Sequence, residues 1–292
     1  MNLLKAVAII LFTTTVSVQI KAQQIEVGML FGASQYMGDL SDEKINFGNS
    51  YFATSLFGRY NFNNKWAIKG YAGYGRISGD DKQSSETASK LRNLNFYTDL
   101  FEFSVHFEYN LLKNNLRNIS ARPVIPYVFG GIGVFNFNPK TEFNGRIVEL
   151  QPLATEGQGS TTYNSLQKYN LTEICIPMGV GIRARISDAF YLGFETGIRF
   201  TTTNYLDDVG GVYGSRDVIK ATTGAEAALL ADRSWEIDRS WETNGNATPV
   251  GVFKEGDKRS NKSLIQNDIY FMSGITITYI IRLKGQSCPT FN

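Results

Sequence analysis

DLFEFSVHFEYNL, residues 99–111, alternates without a break. Its odd positions Phe101, Phe103, Val105, Phe107, Tyr109 and Leu111 are aromatic or aliphatic, and its even positions Glu102, Ser104, His106, Glu108 and Asn110 are polar. A period of two points successive side chains to opposite faces of a strand. A soluble sandwich would bury the first face and wet the second, whereas a transmembrane barrel would turn the apolar face to lipid and the polar face to its lumen. The rest of the chain separates the two.

Alternation of the same kind marks eight strands, near 24–36, 51–62, 65–78, 97–112, 124–137, 169–186, 189–203 and 268–284. The sixth puts Ile174, Ile176, Met178, Val180 and Ile182 on one face and Glu173, Arg183 and Arg185 on the other. The seventh sets Phe190, Leu192, Phe194, Ile198 and Phe200 against Glu195 and Arg199, and the last sets Ile275, Ile277 and Tyr279 against Thr276, Thr278 and Arg282. The second and third place Leu56, Tyr60, Trp66, Ile68 and Tyr74 outside and Arg59 and Lys69 inside. The fifth, PYVFGGIGVFNF, has glycines that suit tight curvature but leave its faces open.

Asn63-Asn64 and Ser187-Asp188 form tight turns, and KNNLRNISARPV links strands four and five. The other four connections are longer and more polar, the longest being 138–168 and 204–267. Short turns on one side and long loops on the other are the habit of outer-membrane barrels. An even strand count puts both termini in the periplasm. The N-terminus agrees: Lys5, an apolar run over 6–18 and Ala22 read as a signal peptide, residues 1–22, ahead of a barrel domain over 23–285 and a tail over 286–292. The apolar run is shorter than the ~20 residues a spanning helix needs.

Eight strands enclose a bore that side chains fill. The inward set is Glu26, Glu102, Glu108, Glu173 and Glu195 against Arg59, Lys69, Arg183, Arg185, Arg199 and Arg282, with His106 among them. Unpaired charge in so dry a space is costly, so the expectation is a closed charge network and a plugged barrel. With 29 basic and 27 acidic residues, net charge +2, nothing points to nucleic acid. His106 is the single histidine. Ser104 and Glu102 share its face, but at two-residue steps of ~7 Å they do not make a triad, and His106 reads as a lumen hydrogen-bonding residue. No cofactor, metal or small-molecule substrate is expected.

Two loop stretches stand out, VELQPLATEGQG (148–159) and TTNYLDDVGG (202–211). Asp207-Asp208 offers oxygen ligands for calcium but lacks the EF-hand spacing, and turn carboxylates bonding local backbone N–H groups are the better reading. GAEAALLADRSWEIDRSWE (224–242) reads as a short amphipathic helix whose Trp235 and Trp241 cap the barrel mouth or meet a partner. Of the two cysteines, Cys175 falls on an inward face. Cys288 lies in the tail, where it is either a free thiol or half of an intermolecular bridge in an oxidising compartment.

EVGMLFGASQYMGDL (26–40), with Gly38 and Asp39, GRYNFNNKWAIKGYAGYGRISGDD (58–81) and PYVFGGIGVFNFNPK (126–140) resemble the PorG-like family. So do LQPLATEGQG (150–159), with Thr155, Glu156, Gly157, Gln158 and Gly159, IPMGVGIRARIS (176–187), and TNYLDDVGGVY (203–213), with Asp207 and Asp208. The resemblance implies a non-enzymatic outer-membrane barrel of the type IX secretion and gliding machinery. Its partners would be outer-membrane lipids and the periplasmic lipoprotein and ring subunits that it tethers. The alternative is a receptor- or adhesin-like barrel that binds through its long extracellular loops.

Overall fold

The computed structural model describes residues 24–41, 50–112, 124–245, 248–260 and 267–281. Among the described residues ten antiparallel strands run β1 (Gln24–Met37), β2 (Tyr51–Asn61), β3 (Trp66–Asp80), β4 (Asn95–Asn110), β5 (Val124–Asn136), β6 (Lys140–Phe143), β7 (Arg146–Glu149), β8 (Thr172–Arg185), β9 (Phe190–Thr201) and β10 (Ile269–Ile281). Each barrel strand pairs with its neighbours in the order β3-β2-β1-β10-β9-β8-β5-β4, and the β3–β4 pairing closes the ring. Eight strands therefore form a closed antiparallel barrel. The short hairpin β6–β7 lies outside it and joins β4 through a single bridge, Tyr97 to Lys140.

The alternation in β4 sets the inside and the outside. Phe103 and Phe107 are 65% and 59% exposed, while Glu102, His106 and Glu108 on the alternate positions are fully buried. The same inversion runs round the ring, with Leu56, Ile132, Val180 and Ile275 outside and Arg59, Arg183, Arg199 and Lys69 among the largest wholly buried side chains. A soluble protein cannot hold charge inside and present phenylalanine to water, because burying apolar surface is what drives its folding. In lipid, with the strands paired around a closed ring, the arrangement is the stable one. Aromatic pairs at the short-turn end, Trp66–Tyr109 (4.7 Å) and Phe190–Tyr279 (5.3 Å), suit the membrane interface.

The faces of β5 become definite. Ile125, Tyr127, Phe129 and Phe135 point in, and Val128, Ile132 and Val134 point out. Its pairing to β8 holds from Val124 to Gly130 and resumes at Gly133, and the break falls opposite Pro177, which has no N–H to give.

The loops depart most from the sequence reading. Residues 137–171 contain the β6–β7 hairpin, and residues 81–94 hold a one-and-a-half-turn helix, α1 (Thr87–Arg92). The single helix expected over 224–242 is broken, and one that was not expected precedes it. Helix α2 (Arg216–Thr223) ends at Gly224, whose φ of +102° turns the chain into α3 (Ala225–Ala231). Asp232 is extended, and its carboxylate takes the N–H of Ser234 at 3.0 Å and the Ser234 hydroxyl at 2.5 Å. Such local side-chain bonds compete with helix, and the chain continues only as a 3-10 turn and the four-residue α4 (Ser240–Thr243).

The signal peptide, the 113–123 part of the β4–β5 link, Arg282 and the tail with Cys288 lie outside the described residues.

Candidate functional site

Inside the barrel, Glu108 stands at the centre of the charges. Its carboxylate meets Arg59 Nε at 2.7 Å, Lys69 Nζ at 3.1 Å and Arg183 Nη1 at 3.3 Å. Arg59 also reaches Glu26 at 2.8 Å, Lys69 reaches Glu195 at 2.7 Å, and Arg183 donates to Asn110 Oδ1 at 3.0 Å. A second group, toward the loop end, joins Arg199 to Glu102 at 3.0 Å, and Tyr270 donates to the same carboxylate. The structure thus brings Glu26, Arg59, Lys69, Glu102, Glu108, Arg183, Glu195 and Arg199 together.

Two residues expected in that network do not join it. Glu173 is half-exposed at the loop-side rim and accepts from the Thr202 hydroxyl at 2.6 Å. Arg185 lies at the opposite mouth and donates to the backbone carbonyls of Ser187 and Asp188. Both have inward parity, but alternation reports the face of a strand and not the depth along it.

His106 is sandwiched between Tyr71 and Phe129, with ring centroids 5.1 and 5.0 Å away. The geometry corrects the expected separation on β4: Ser104 Oγ is 2.8 Å from His106 Nε2 and 2.6 Å from Glu102 Oε1. Side chains on one face lean along the strand and close the gap between their Cα atoms. The Ser104 proton goes to Glu102, so the hydroxyl accepts from the imidazole. A nucleophilic serine needs the reverse, a histidine that takes its proton. All three side chains are buried, and the trio ties the lumen together as a hydrogen-bonded core.

The described parts of the four long loops fold into one cap over the barrel mouth, and the two distinctive loop stretches meet inside it. Thr155 donates to Asp208 Oδ2 at 2.5 Å, and Tyr169 to Asp208 Oδ1 at 2.7 Å. Glu156 Oε1 accepts the N–H groups of Gly210 and Gly211 at 2.9 and 3.1 Å and Arg259 Nη1 at 3.1 Å, while Oε2 accepts the Tyr205 hydroxyl at 3.1 Å. Gly157 (φ +85°) and Gly159 (φ +73°) supply the left-handed backbone of this turn, and Gln158 accepts the N–H of Glu156.

Burial pushes the Asp208 carboxyl up to about 6, against the opposing pull of Arg259. Burial also raises the Tyr169 and Tyr205 phenols, helped by Asp208 and Glu156 respectively. For Arg259 burial works downward, but Glu156 and Asp208 outweigh it and hold the guanidinium above its ordinary range. The turn-carboxylate reading therefore holds for Asp207, which accepts the N–H of Val209, and fails for Asp208, whose partners are distant side chains.

Asp207 gathers with Asp39 and Asp268, all buried, with one oxygen of each within 4.8 Å of the others. Such a donor set suits a hard cation. Here each carboxylate takes a protein donor on at least one oxygen: Tyr36 bonds Asp207 and Asp268 at 2.5 and 3.2 Å, Ser260 bonds Asp39 Oδ1, and the Leu206 N–H bonds Asp268. Gly38 makes room for them, since a Cβ there would lie 2.0 Å from the Tyr36 hydroxyl. Trp235 and Trp241 donate to loop carbonyls, and Trp235 packs on the core of the cap. Cys175 is a buried free thiol in the lumen. The donors of Tyr36 and Arg259 to this cap were missed from sequence. They come from a strand end and a polar loop with no local signal.

A closed eight-stranded sheet with a lipid-compatible exterior and a paired-charge interior defines a small β-barrel of the outer-membrane type. The chain belongs to the family described as Domain of unknown function (DUF6089), which matches over residues 5–221. No curated protein matches it. Among solved structures it is similar to Ail, the attachment invasion locus protein of Yersinia pestis, at 8% identity over 89% of this chain and 100% of that one, TM-score 0.39. It is also similar to Neisserial surface protein A, at 8% over 88% and 96%, TM-score 0.38. A third is OprG of Pseudomonas aeruginosa, at 10% over 89% and 95%, TM-score 0.35. The barrel assignment rests on the strand pairing of this chain and not on those scores.

Proposed function

We propose that this barrel is a non-enzymatic, non-conducting anchor of the outer membrane, and that, as its PorG-like resemblance implies, it tethers periplasmic lipoprotein and ring subunits of the type IX secretion and gliding machinery. The observation that carries the first half is the interlocked lumen centred on Glu108, which leaves the two ends of the barrel to meet other molecules. The second half comes from the resemblance. It requires both termini and the short turns to face the periplasm.

Purification of the tagged chain from outer membranes in mild detergent, followed by mass spectrometry, tests it. Recovery of lipoprotein and ring subunits in fixed proportion is the expected result. A lone barrel, with secretion intact on deletion, overturns the tether. An epitope inserted in 138–168 should be accessible on intact cells, and protection there overturns the orientation.

A second reading, a surface-binding barrel, is favoured by one observation. The cap holds an open cavity of about 330 Å³ at its outer side.

A further inference from the structure

We propose that this cavity is a binding site for a compact organic cation, an alkylammonium or guanidinium group. The proposal goes beyond anchoring and does not depend on it. At about 330 Å³ the cavity is at the small end of ligand sites. Its chemistry comes from Tyr163, Tyr205, Tyr213, Glu156 and Glu255, and among the described residues no lysine, arginine or histidine lines it.

The free hydrogen-bonding capacity of these groups selects the ligand. The Tyr205 hydroxyl donates to Glu156, and the Tyr163 hydroxyl donates to Glu255 Oε1 at 2.6 Å while accepting the N–H of Ser215 at 2.8 Å. The Tyr213 hydroxyl has no hydrogen-bond partner among the described residues but is shut off from solvent. The Tyr163 and Tyr205 donors are therefore spent, and what remains open to the cavity is carboxylate lone pairs beside aromatic rings. A neutral sugar would need donors as well as acceptors, and an anion would be repelled. A cation supplies the missing N–H groups and is drawn to both carboxylate and ring. Glu156 is already matched by Arg259 at 3.1 Å and serves as floor. Glu255 is exposed at the rim, and among the described residues no cationic side chain pairs with it.

The site is also preformed. The Tyr213 ring stacks on Phe253 at 4.6 Å, and its backbone pairs both ways with Gly256 and Asp257 at 2.9 Å. Gly210 lets the chain approach the Tyr205 ring, since a Cβ there would lie 2.2 Å from it. Gly211 differs: a Cβ would meet only Glu156 Oε2, at an ordinary 3.5 Å. Position 211 can therefore carry a side chain into the cavity without breaking the cap.

The test is calorimetric titration of the full chain in detergent micelles with N-acetyl-lysine amide and N-acetyl-arginine amide, N-acetyl-norleucine amide serving as the neutral control. Saturable binding of at least one cation, none of the control, is expected. Glu255→Gln, which keeps the acceptor for Tyr163, should weaken it about fivefold. Gly211→Val should abolish it with unchanged heat-modifiable mobility. Repeating the titration with a tetrapeptide carrying one basic residue separates the sources. Tighter binding of the peptide assigns a partner's side chain, and equal or weaker binding assigns a free amine. Equal binding of the control, unchanged affinity in Glu255→Gln, or no saturation by either cation in folded protein would overturn the proposal.

Discussion

Replacing Glu108 by glutamine keeps the volume and one acceptor while removing the charge on which three cations converge. The three are not left in the same state. Arg59 retains Glu26 at 2.8 Å and Lys69 retains Glu195 at 2.7 Å, but Arg183 retains no carboxylate, only the neutral Asn110 and the Tyr127 and Tyr191 rings. Breaking a buried ion pair by removing one partner costs about 3–5 kcal/mol, because a charge remains in low dielectric without compensation. That cost should fall mainly on Arg183. Glu108→Gln is thus expected to lose about 3–5 kcal/mol.

The double variant Glu108→Gln, Arg183→Gln should recover more of it than Glu108→Gln, Arg59→Gln, which orphans Glu26 in turn. For residues in one network, the coupling energy in the first cycle is expected at about 1–3 kcal/mol. Urea titration of the protein folded in micelles, read by tryptophan fluorescence and heat-modifiable gel mobility, gives each value. A loss below about 1 kcal/mol in the single variant, the size of an exposed pair, would refute a dry, closed network. Equal recovery by the two double variants would refute the assignment of Arg183 as the orphan.

The cap carries a pH dependence whose sign is fixed by Asp208. Its folded pKa of about 6 lies above the ordinary 3.8, so between those values the folded state holds a proton that the unfolded chain releases. Its contribution to stability is complete below pH 3.8 and is lost as pH rises through 6, a fall of about 3 kcal/mol from this group. Asp208→Asn should remove that slope at no backbone cost, since φ is +65° there and asparagine accepts it; denaturation midpoints at pH 4 and 7 check both statements. Tyr36→Phe removes the donor shared by Asp207 and Asp268 and should cost the cap about 1–3 kcal/mol, seen as faster proteolysis of the loops with an unchanged barrel. In planar bilayers the wild-type barrel should stay at the leak baseline, and stable current steps would refute the filled lumen.

Much of the barrel was legible because its information is local. In β4 the sign of each position is written by its own side chain, and the eight expected strands agree with the observed barrel strands to within three residues at every end. The exceptions show what alternation lacks. In β5, Gly130 and Gly131 carry no side chain to mark a face, so parity emerged only from the flanking Tyr127 and Phe129 turning inward. Glu173 and Arg185 have the parity of the network but lie at opposite mouths of the barrel, where water or backbone satisfies them. Ser104 and His106 were judged by the spacing of their Cα atoms, and the lean of the side chains brought them into contact. The cap was least legible, because Thr155–Asp208 and Tyr36–Asp268 join residues 53 and 232 apart in the chain. A charged loop residue awaiting a distant partner reads as one awaiting water.

The cross-bracing of the cap bears on how the ends of this barrel work. Arg92 pairs with Asp81 at 2.7 Å and donates to the backbone carbonyls of Asp39 and Arg259, tying three of the four loops through one side chain. Arg233 donates to Thr141 at 3.1 Å and accepts Asn93 on its carbonyl, which brings in the remaining loop. Below them, Tyr36 ends β1 inside the carboxylate group of Asp39, Asp207 and Asp268, so the cap is welded to the barrel wall. Because buried polar groups hold so many of these contacts, moving one loop would leave several of them unpaired at once, each at a cost of about 1–3 kcal/mol. A lid that gates a pore needs cheap motion, and the described contacts of this cap do not allow it. A fixed outer surface on a filled barrel is what recognition or anchoring requires, since a partner then meets a shape already paid for by folding.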